Sequence, residues 1–454
     1  MARTRDLTDG KPSKLILSFA APLLFGFLFQ QLYNIVDAAI VGRVLGAEML
    51  GAVGCTGSVN FLVLGFCMGI CSGFAIPVAQ CFGAKDEYGL RCYVFNSVYL
   101  CAGIAVVMAL ATTLLCPAIL RLMGTPEEIL PAAVSYISVI FAGIPAMMLY
   151  NMAGGILRSL GDSRTPVIFL VMASLINVAL DFLLILKANM GVAGASVATV
   201  ISQICSGIGC TVVLIRRFPI LRPVKDERRF RAKSAKRLLG IGLPMGLQFS
   251  ITAIGTVIVQ TAVNSLGTAA VAAVAAGVKV STVFTCAYDA LSSAMATFAG
   301  QNIGAGKPDR VTAGLKSAGV IGTVYSVCAT AAIWLFGRTF IGVFLDPGAA
   351  AEVTELAYRY LRVNSALYIP LLFVNIVRLA IQGMGYTTQA MMAGVFEMVA
   401  RSLVALLLVP PLGYPAACCA NPAAWVAADI YLIPCYTVMI RRVKRKFQAR
   451  AAVE

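Results

Sequence analysis

The sequence predicts an all-α membrane protein of twelve transmembrane helices arranged as two parallel six-helix repeats. Three observations support this fold class: the composition, the lengths of the apolar segments, and an internal repeat that relates the two halves. The chain has 454 residues, of which 59% are hydrophobic and only 12% are charged. Soluble proteins average about 25% charged residues, so the surface of this protein carries too few charges for water and belongs in lipid.

Twelve segments are long and apolar enough to cross a bilayer, which takes about 20 mostly apolar residues. The first half of the chain contains 15–40, 51–79, 92–117, 132–157, 165–186 and 192–215. The second half contains 238–262, 269–298, 311–335, 356–381, 388–410 and 416–440. The first segment follows a charged tail and has no small-residue cleavage site, so we expect a membrane span and not a cleaved signal peptide.

The distribution of basic residues predicts the orientation in the membrane. Of the 36 Lys and Arg residues, 27 lie in the N-terminal tail, the even-numbered loops and the C-terminal tail, with Lys316 near the start of the ninth span counted with its neighbouring loop. Because cytoplasmic loops accumulate basic residues, both termini are predicted to be cytoplasmic. The net charge of +16 therefore reflects topology, and we expect no nucleic-acid partner. No Asn-x-Ser/Thr sequon occurs, which favours a bacterial plasma (inner) membrane over a glycosylating compartment.

The residue types argue against an enzyme. The chain contains no histidine, which excludes His-based acid/base catalysis and His metal sites. Its 14 cysteines are scattered through apolar segments, and we interpret them as buried thiols that pack as small apolar residues. No serine or cysteine has a basic partner in the sequence, and no Gly-rich phosphate loop occurs, so a membrane-embedded enzyme is remote. We expect no cofactor.

The two halves of the chain resemble each other at a shift of about 222 residues. Pro22 matches Pro244, the segment that begins with Gln80 matches the one at Gln301, and Asn151 matches Asn375. Each repeat has six spans, an even number, so both repeats have the same orientation and are parallel. Such repeats place a binding site between them near the midplane, which predicts a two-lobed transporter. We predict an N-lobe at 1–218, a basic linker along anionic headgroups at 219–236, and a C-lobe at 237–454.

Five of the 20 acidic residues lie within predicted spans. An ionised side chain at mid-bilayer costs at least about 2.5–3.5 kcal/mol, so such residues are expected to be functional or ion-paired: Asp37, Asp181, Asp289, Glu397 and Asp429. The predicted first-lobe spans contain no basic residue that could pair with Asp37 or Asp181.

Polar partners accompany the two first-lobe acids. Asn34 and Asp37 are three residues apart, and Asn177 and Asp181 are four apart, so each pair shares one helix face. Amide and hydroxyl oxygens are added in neighbouring spans by Asn151 and Thr199. Such a set can bind a hard monovalent cation such as Na⁺ between ionised carboxylates, with no other metal expected. It can equally hold a proton, because buried, like-charged carboxyl groups favour protonation.

The second half is interpreted differently. Glu397 and Arg401 lie four residues apart on the eleventh span, and Arg378 lies one span earlier, which favours an interior ion-paired cluster with a structural role. Pro22 interrupts one backbone hydrogen bond in the first span and is expected to act as a hinge. We expect the substrate cavity to be lined by polar side chains within the spans: Gln30, Gln31, Tyr33, Asn34, Gln203 and Asp289.

Several motifs resemble those of the multidrug and toxic compound extrusion (MATE) family. Residues 29–37, Phe-Gln-Gln-Leu-Tyr-Asn-Ile-Val-Asp, resemble its first-helix motif. The Gln-x-x-Gly-Ala segments at Gln80 and Gln301 resemble its repeated loop signature. The same holds for residues 160–166 and 382–387 after the fourth and tenth spans. The similarity extends over about residues 12–440.

The resemblance implies a V-shaped, twelve-helix antiporter that exports organic cations in exchange for H⁺ or Na⁺. Family members with an acidic first-lobe site use residue types that match, one by one, Asp37, Asn151, Asn177, Asp181 and Thr199. Another branch places a coupling acid in the seventh helix. The predicted seventh span, 238–262, contains no acid, only Gln248 and Gln260, so the resemblance does not extend to that branch's site.

Other carriers are the main alternatives. A major facilitator also has twelve spans in two parallel halves, but the doubled Gln-x-x-Gly-Ala and the first-helix acid argue against it. A lipid-linked precursor or oligosaccharide flippase of the same superfamily would carry more cationic residues along its cavity. A channel fits two near-equal lobes with buried carboxylates less well than alternating access does. We expect a monomer whose partners are organic cations and the phospholipid bilayer.

Overall fold

The computed structural model is helical throughout the residues it describes, which are 6–222, 225–345 and 351–451. The ends of both predicted tails and residues 223–224 of the predicted linker lie outside them. The α-helices of the described chain are, in order, α1 Pro12–Leu45, α2 Ala47–Cys55, α3 Gly57–Gly83, α4 Glu87–Leu122, α5 Leu130–Ala142, α6 Ile144–Ser159, α7 Arg164–Asp181, α8 Val192–Arg217, α9 Ala232–Asn264, α10 Thr268–Gly304, α11 Pro308–Gly342, α12 Ala351–Ala366, α13 Tyr368–Gly383, α14 Thr387–Leu403, α15 Val409–Leu412 and α16 Tyr414–Ala451.

The number of spans agrees with the prediction. In the described residues, ten helical segments are long and apolar enough to cross a membrane, and two bent helix pairs bring the number to twelve. The pairs are α5–α6, bent by 45°, and α12–α13, bent by 53°. Pro145 and Pro370 lie just after the two bends, and proline breaks a helix because it has no N–H to donate and its ring clashes with the preceding turn. The predicted fold class is confirmed.

Two span boundaries differ from the prediction. The first span was expected at 15–40, but α1 continues to Leu45, and the predicted span 51–79 is divided between α2 and α3 at Thr56. The chain turns between α1 and α2 at Gly46, whose φ of 90° suits glycine because it has no Cβ. Hydropathy did not reveal these breaks because both sides of each break are apolar.

The tertiary contacts group the chain into two units. Unit 1 contains Phe25–Ser250, and unit 2 combines Leu7–Leu24 with the chain from Ile251 onward. Each of the long helices α1 and α9 is therefore divided between the units. The division of α1 falls three residues after Pro22.

Unit 1 is built around α3, α4, α5, α6 and α8, which pack on one another. Their buried side chains form one apolar core that includes Ile70, Phe74, Phe141 and Leu157, each at most 1% exposed. Cys67 lies in the same core and is fully buried, as expected for thiols that act as small apolar side chains. This core holds the helices that present the polar residues described below.

Unit 2 packs α10 against α11, α12 and α13, and α14 against α16. Three tyrosines anchor its interior: the Tyr288 ring meets Tyr325 and Tyr368 edge-on, at centroid distances of 5.6 and 5.8 Å. The Tyr288 hydroxyl is 2.9 Å from that of Ser326, so the buried polar end of the ring is satisfied.

The two Gln-x-x-Gly-Ala segments bind residues at or just before the start of an opening helix: Arg237 in the second turn of α9, and Leu7 five residues before α1. In unit 1 the guanidinium of Arg237 donates to Gln80 Oε1 at 2.9 Å. In unit 2 the backbone N–H of Leu7 donates to Gln301 Oε1 at the same distance, and the Asn302 amide donates to the Leu7 carbonyl at 3.1 Å. The repeated motif therefore has a structural role in both units.

The internal repeat is visible in the backbone. The fifth helix of each repeat, α7 and α14, ends in a π-helical turn, Phe182–Lys187 and Val404–Leu408. Asn151 and Asn375 each donate to the carbonyl four residues earlier in their own helix, at 2.9 and 3.0 Å. These features recur in corresponding helices of the two repeats, at a shift of 224 residues for the asparagines and of 222 for the start of the π-helical turns.

Candidate functional site

The polar cluster of unit 1 is centred on Asn177, which lies on α7 and is 1% exposed. In the amide orientation that satisfies both of its ends, the Asn177 nitrogen donates to Asp181 Oδ2 at 2.8 Å and to the Tyr33 hydroxyl at 3.1 Å. Its oxygen accepts from the Thr199 backbone N–H at 3.0 Å and from the Thr199 hydroxyl at 3.2 Å. One buried amide thus connects α1, α7 and α8, and its donors and acceptors are all used.

The two acids of the cluster are in contact. Asp181 is fully buried and Asp37 is half-buried, and their side chains lie within hydrogen-bonding reach of each other. Two carboxyl groups share a hydrogen bond only when one carries a proton. With both ionised and nothing between them, their charges repel. The pair therefore needs a proton or a cation to be stable in this arrangement.

No basic side chain in the part of the chain that the structure describes forms an ion pair with either acid. Among the same residues, Oδ1 of both Asp37 and Asp181 is buried without a hydrogen-bond partner. Helix α6 continues past the predicted span end at 157 and includes Arg158. The electrostatic neighbours of that guanidinium are Tyr150, Cys71 and Cys210, and the two acids are not among them. The acid pair is thus an uncompensated negative site within unit 1.

Tyr136 is a member of this site that the sequence did not predict. It lies on α5 and has both Asp37 and Asp181 among its electrostatic neighbours. A tyrosine is common in an apolar span, so nothing in its sequence context distinguished Tyr136 from an ordinary core residue.

The other predicted residues are placed less centrally. The Asn151 amide donates to Met147 of its own helix, and no described hydrogen bond joins it to either acid. Gln203 lies one turn after Thr199 on α8, and its Oε1 is buried without a partner. On α1, Gln30 and Gln31 are half-buried and Asn34 is exposed.

Two further predicted residues belong to other parts of the fold. Asp289 lies on α10 in unit 2 and is exposed, and no described ion pair includes it. Pro22 lies inside α1, which is helical on both sides of it. Its role as a hinge remains a prediction.

The predicted ion-paired cluster of the second half is confirmed. Arg378 on α13 and Arg401 on α14 both pair with Glu397, the second pair at 3.6 Å, and all three side chains are at least 92% buried. Arg401 Nε also donates to Asn421 Oδ1 at 3.1 Å. Asp429 on α16 lies within electrostatic range of Arg378 and Glu397. Glu397 therefore has two basic partners, whereas no described ion pair involves Asp37 or Asp181.

Comparison with known proteins places the chain among membrane transporters. The MatE family profile matches it twice, at residues 22–183 and 244–407. A probable multidrug resistance protein of Bacillus subtilis, YpnP, is 30% identical over 82% of both chains. An FAD transporter of Shewanella oneidensis is 25% identical over 81% of both chains. The structure of a MOP superfamily transporter from Pyrococcus furiosus superimposes with a TM-score of 0.91 over 98% of this chain and 99% of that one, at 22% identity.

Proposed function

Because the chain belongs to the MatE family, whose members are transporters and not enzymes, we propose that it is an antiporter that exports organic cations in exchange for a monovalent cation. The observation that carries the proposal is the Asp37–Asp181 pair, two contacting acids without a basic partner in the described residues. Buried acids without a counter-charge mark ion and proton pathways in membrane proteins.

The geometry supports a proton as the coupling ion. When the Asn177 nitrogen is assigned to the side of Asp181 and Tyr33, every donor and acceptor of this amide has a partner and no cation is needed. An amide group binds Na⁺ through its oxygen, so Na⁺ coordination by Asn177 would require the amide to turn and lose its bonds to Asp181 and Tyr33. A proton between the two carboxyl groups needs no such rearrangement.

Transport then follows from the charge of the site. With a proton bound, the pair carries one negative charge fewer and holds an organic cation less strongly; after the proton leaves, the negative charge returns and the cation binds again. Alternating access of the rocker-switch type would make the two events occur on opposite sides of the membrane. Division of α1 between the units just beyond Pro22 supports a hinge at this proline.

The substrate class is supported by the chemistry of the site and by the relatives. An uncompensated acid pair attracts cations, and the polar residues expected to line the cavity are neutral apart from the exposed Asp289: Gln30, Gln31, Tyr33, Asn34 and Gln203. The name of the Bacillus subtilis relative refers to multidrug resistance. We also propose a plasma membrane location with both termini cytoplasmic, from the excess of basic residues on that side.

Efflux of a fluorescent organic cation, ethidium, from proteoliposomes tests the proposal. A proton gradient and a sodium gradient are imposed one at a time on the wild type, Asp37→Asn and Asp181→Asn. We expect the proton gradient to drive efflux in the wild type and neither gradient to do so in the two variants. The matched control is Glu127→Gln, an acid whose side chain is 79% exposed, which should behave as the wild type.

Two results would overturn the proposal. Gradient-driven efflux at the wild-type rate in either Asp variant would remove the coupling role of the pair. Inhibition of ethidium efflux by the anionic flavin dinucleotide, and not by a second organic cation, would contradict the cationic substrate class.

A further inference from the structure

Unit 2 contains a structural counterpart of the unit 1 site. The register comes from three backbone landmarks shared by the repeats: Gly161 and Gly385, with φ of 86° and 93°; Gly191 and Gly413, with φ of 59° and 66°; and the helix breaks at Gly143 and Leu367. Counting from Gly143 and Leu367 pairs Tyr136 with Tyr360, and counting forward from Gly161 and Gly385 pairs Asn177 with Arg401, both at a shift of 224 residues. Counting forward from Gly191 and Gly413, at a shift of 222, pairs Thr199 with Asn421, because unit 2 has two residues fewer between Arg401 and Gly413 than unit 1 has between Asn177 and Gly191.

One contact between the paired residues is shared by the two units. In unit 1 the Asn177 oxygen accepts from the Thr199 hydroxyl at 3.2 Å. Their counterparts Arg401 and Asn421 are hydrogen-bonded at 3.1 Å in unit 2. The Asn421 amide continues the network to the Tyr360 hydroxyl at 3.2 Å.

The Arg401 guanidinium has room because unit 2 has a glycine, Gly255, where unit 1 has Tyr33. Tyr33 and Gly255 each lie eleven residues after the proline of their opening helix. In unit 1 the Tyr33 hydroxyl contacts Asn177. In unit 2 a Cβ on Gly255 would lie 3.5 Å from both Cδ and Nη1 of Arg401. A tyrosine at 255 would therefore occupy the volume of the guanidinium, and glycine leaves room for it.

Unit 2 has apolar residues at the positions of the two unit 1 acids. Counting from Pro22 and Pro244 places Val259 at the position of Asp37. Counting from Gly161 and Gly385 places Ala405 at the position of Asp181. The negative charge that faces Arg401 comes instead from Glu397, which is 3% exposed and contacts both Arg401 and Arg378. A guanidinium stays protonated at every physiological pH, so this cluster keeps its positive charge throughout a transport cycle.

We propose that Arg401 is a built-in cation that occupies, in unit 2, the place of the exchangeable cation of unit 1. The place of the coupling cation in unit 2 is therefore always filled by the Arg401 guanidinium. Each chain then has one site that binds and releases a coupling ion, the site in unit 1. The inference rests on the proposed ion site at Asp37 and Asp181. It also identifies a ligand class for the vacated site: removal of the Arg401 side chain creates a pocket for a small planar cation, guanidinium, beside Glu397.

Addition of guanidinium ion to a variant that lacks the Arg401 side chain tests this assignment. The midpoint of thermal unfolding is measured for purified protein in nanodiscs, with guanidinium chloride or sodium chloride added at equal millimolar concentrations. We expect Arg401→Ala to show a saturable rise of about 2 °C that is specific to guanidinium, since a ligand that binds only the folded state stabilises it. The double variant Glu397→Gln/Arg401→Ala, which lacks the acid, should show no rise.

Arg158→Ala is the matched control, because it removes an arginine of unit 1 that lies among thiols and a tyrosine. Guanidinium should not stabilise this control or the wild type. The proposal is overturned if guanidinium fails to stabilise a folded Arg401→Ala protein, or if it stabilises the double variant equally.

A second measurement remains decisive if Arg401→Ala does not fold. Proton release on addition of ethidium, and binding of radioactive Na⁺, are measured for the wild type and for Asp37→Asn/Asp181→Asn. We expect the double Asp variant to have lost both signals completely. Loss of part of either signal would reveal an exchangeable site elsewhere and overturn the single-site proposal, whereas signals unchanged from the wild type would refute the proposed unit 1 site itself.

Discussion

The carboxylate of Glu227 lies 2.7 Å from Nε of Arg91, although 136 residues separate them in sequence. The pair is shielded from solvent, with side-chain exposures of 5% for Glu227 and 15% for Arg91. It fastens the segment before α9 to α4, together with a hydrogen bond from the Arg231 N–H to Asn96 Oδ1 at 2.9 Å. The linker was expected to lie along lipid headgroups. One of its two acids, Glu227, is buried against α4, while a neighbouring basic side chain, Arg229, is 80% exposed. The contact of the linker with headgroups stays a prediction.

Loss of Arg91 should destabilise the protein. Arg91→Gln leaves Glu227 buried without its main counter-charge, which costs about 3 kcal/mol for a buried pair, and we expect a lower midpoint of thermal unfolding in lipid nanodiscs. The control is Arg121→Gln, because Arg121 and Glu127 are exposed and 3.8 Å apart; such a pair contributes about 0.5 kcal/mol. Equal losses in the two variants would contradict the role of the linker contact.

Removal of the Tyr33 hydroxyl should weaken ion coupling without unfolding the protein. Tyr33→Phe deletes the oxygen that accepts from Asn177 at 3.1 Å. One such bond contributes about 1 kcal/mol, so we expect about a fivefold drop in gradient-driven ethidium efflux. Tyr150→Phe is the control, since its hydroxyl donates to the Pro166 carbonyl at 3.1 Å, away from the acids. If both variants lose the same activity, the effect is structural and the assignment of Tyr33 to the ion site is wrong.

A methyl group at Gly69 should disrupt helix packing. A Cβ at Gly69 would lie 2.6 Å from the Met245 carbonyl oxygen and 2.7 Å from Cα of Gly246. Because both are backbone atoms of α9, the helices must separate, and overpacking of this kind costs about 1–3 kcal/mol. We expect Gly69→Ala to lower the unfolding midpoint.

Gly103→Ala is the matched control for this prediction. Gly103 is also a glycine inside a helix, α4, but a Cβ there meets nothing within 4 Å. Alanine is the better helix former, so this variant should be as stable as the wild type or slightly more stable. A loss of stability in Gly103→Ala equal to that in Gly69→Ala would exclude close packing as the cause.

The start of the site helix α7 depends on Asp162. Its Oδ1 accepts from the backbone N–H groups of Arg164 and Thr165, both at 3.0 Å, and Oδ2 accepts from the Thr165 hydroxyl at 2.6 Å. Asp162→Ala should cost about 1 kcal/mol of stability, visible in thermal unfolding. Asp162→Asn keeps an acceptor oxygen and should retain most of it. Identical stability of the alanine variant and the wild type would refute the capping role.

The twelve spans and the double repeat were predictable because both depend on local sequence. Hydropathy records the transfer of each segment into lipid, and the recurrence of Pro22 at Pro244 needs no knowledge of contacts. The bends at Gly143 and Leu367 had a signal in Pro145 and Pro370, but hydropathy alone does not register it. Asn177, Asp181 and Thr199 were found because polar groups within apolar helices are costly.

Tertiary structure decided which of these groups meet. The sequence alone established the membrane, the number of spans, the repeat and the residues with a reason to be functional. It placed Asn151 with the acids and omitted Tyr136, whereas in the fold Asn151 bonds to its own helix and Tyr136 neighbours both carboxyl groups. The correspondence of Arg401 with Asn177 could not be predicted from the sequence either. It depends on two matching hydrogen bonds, from Arg401 to Asn421 and between Asn177 and Thr199. Contacts between distant helices depend on the rotation of each helix about its axis, and that rotation is set by packing against its neighbours and not by the sequence of one helix.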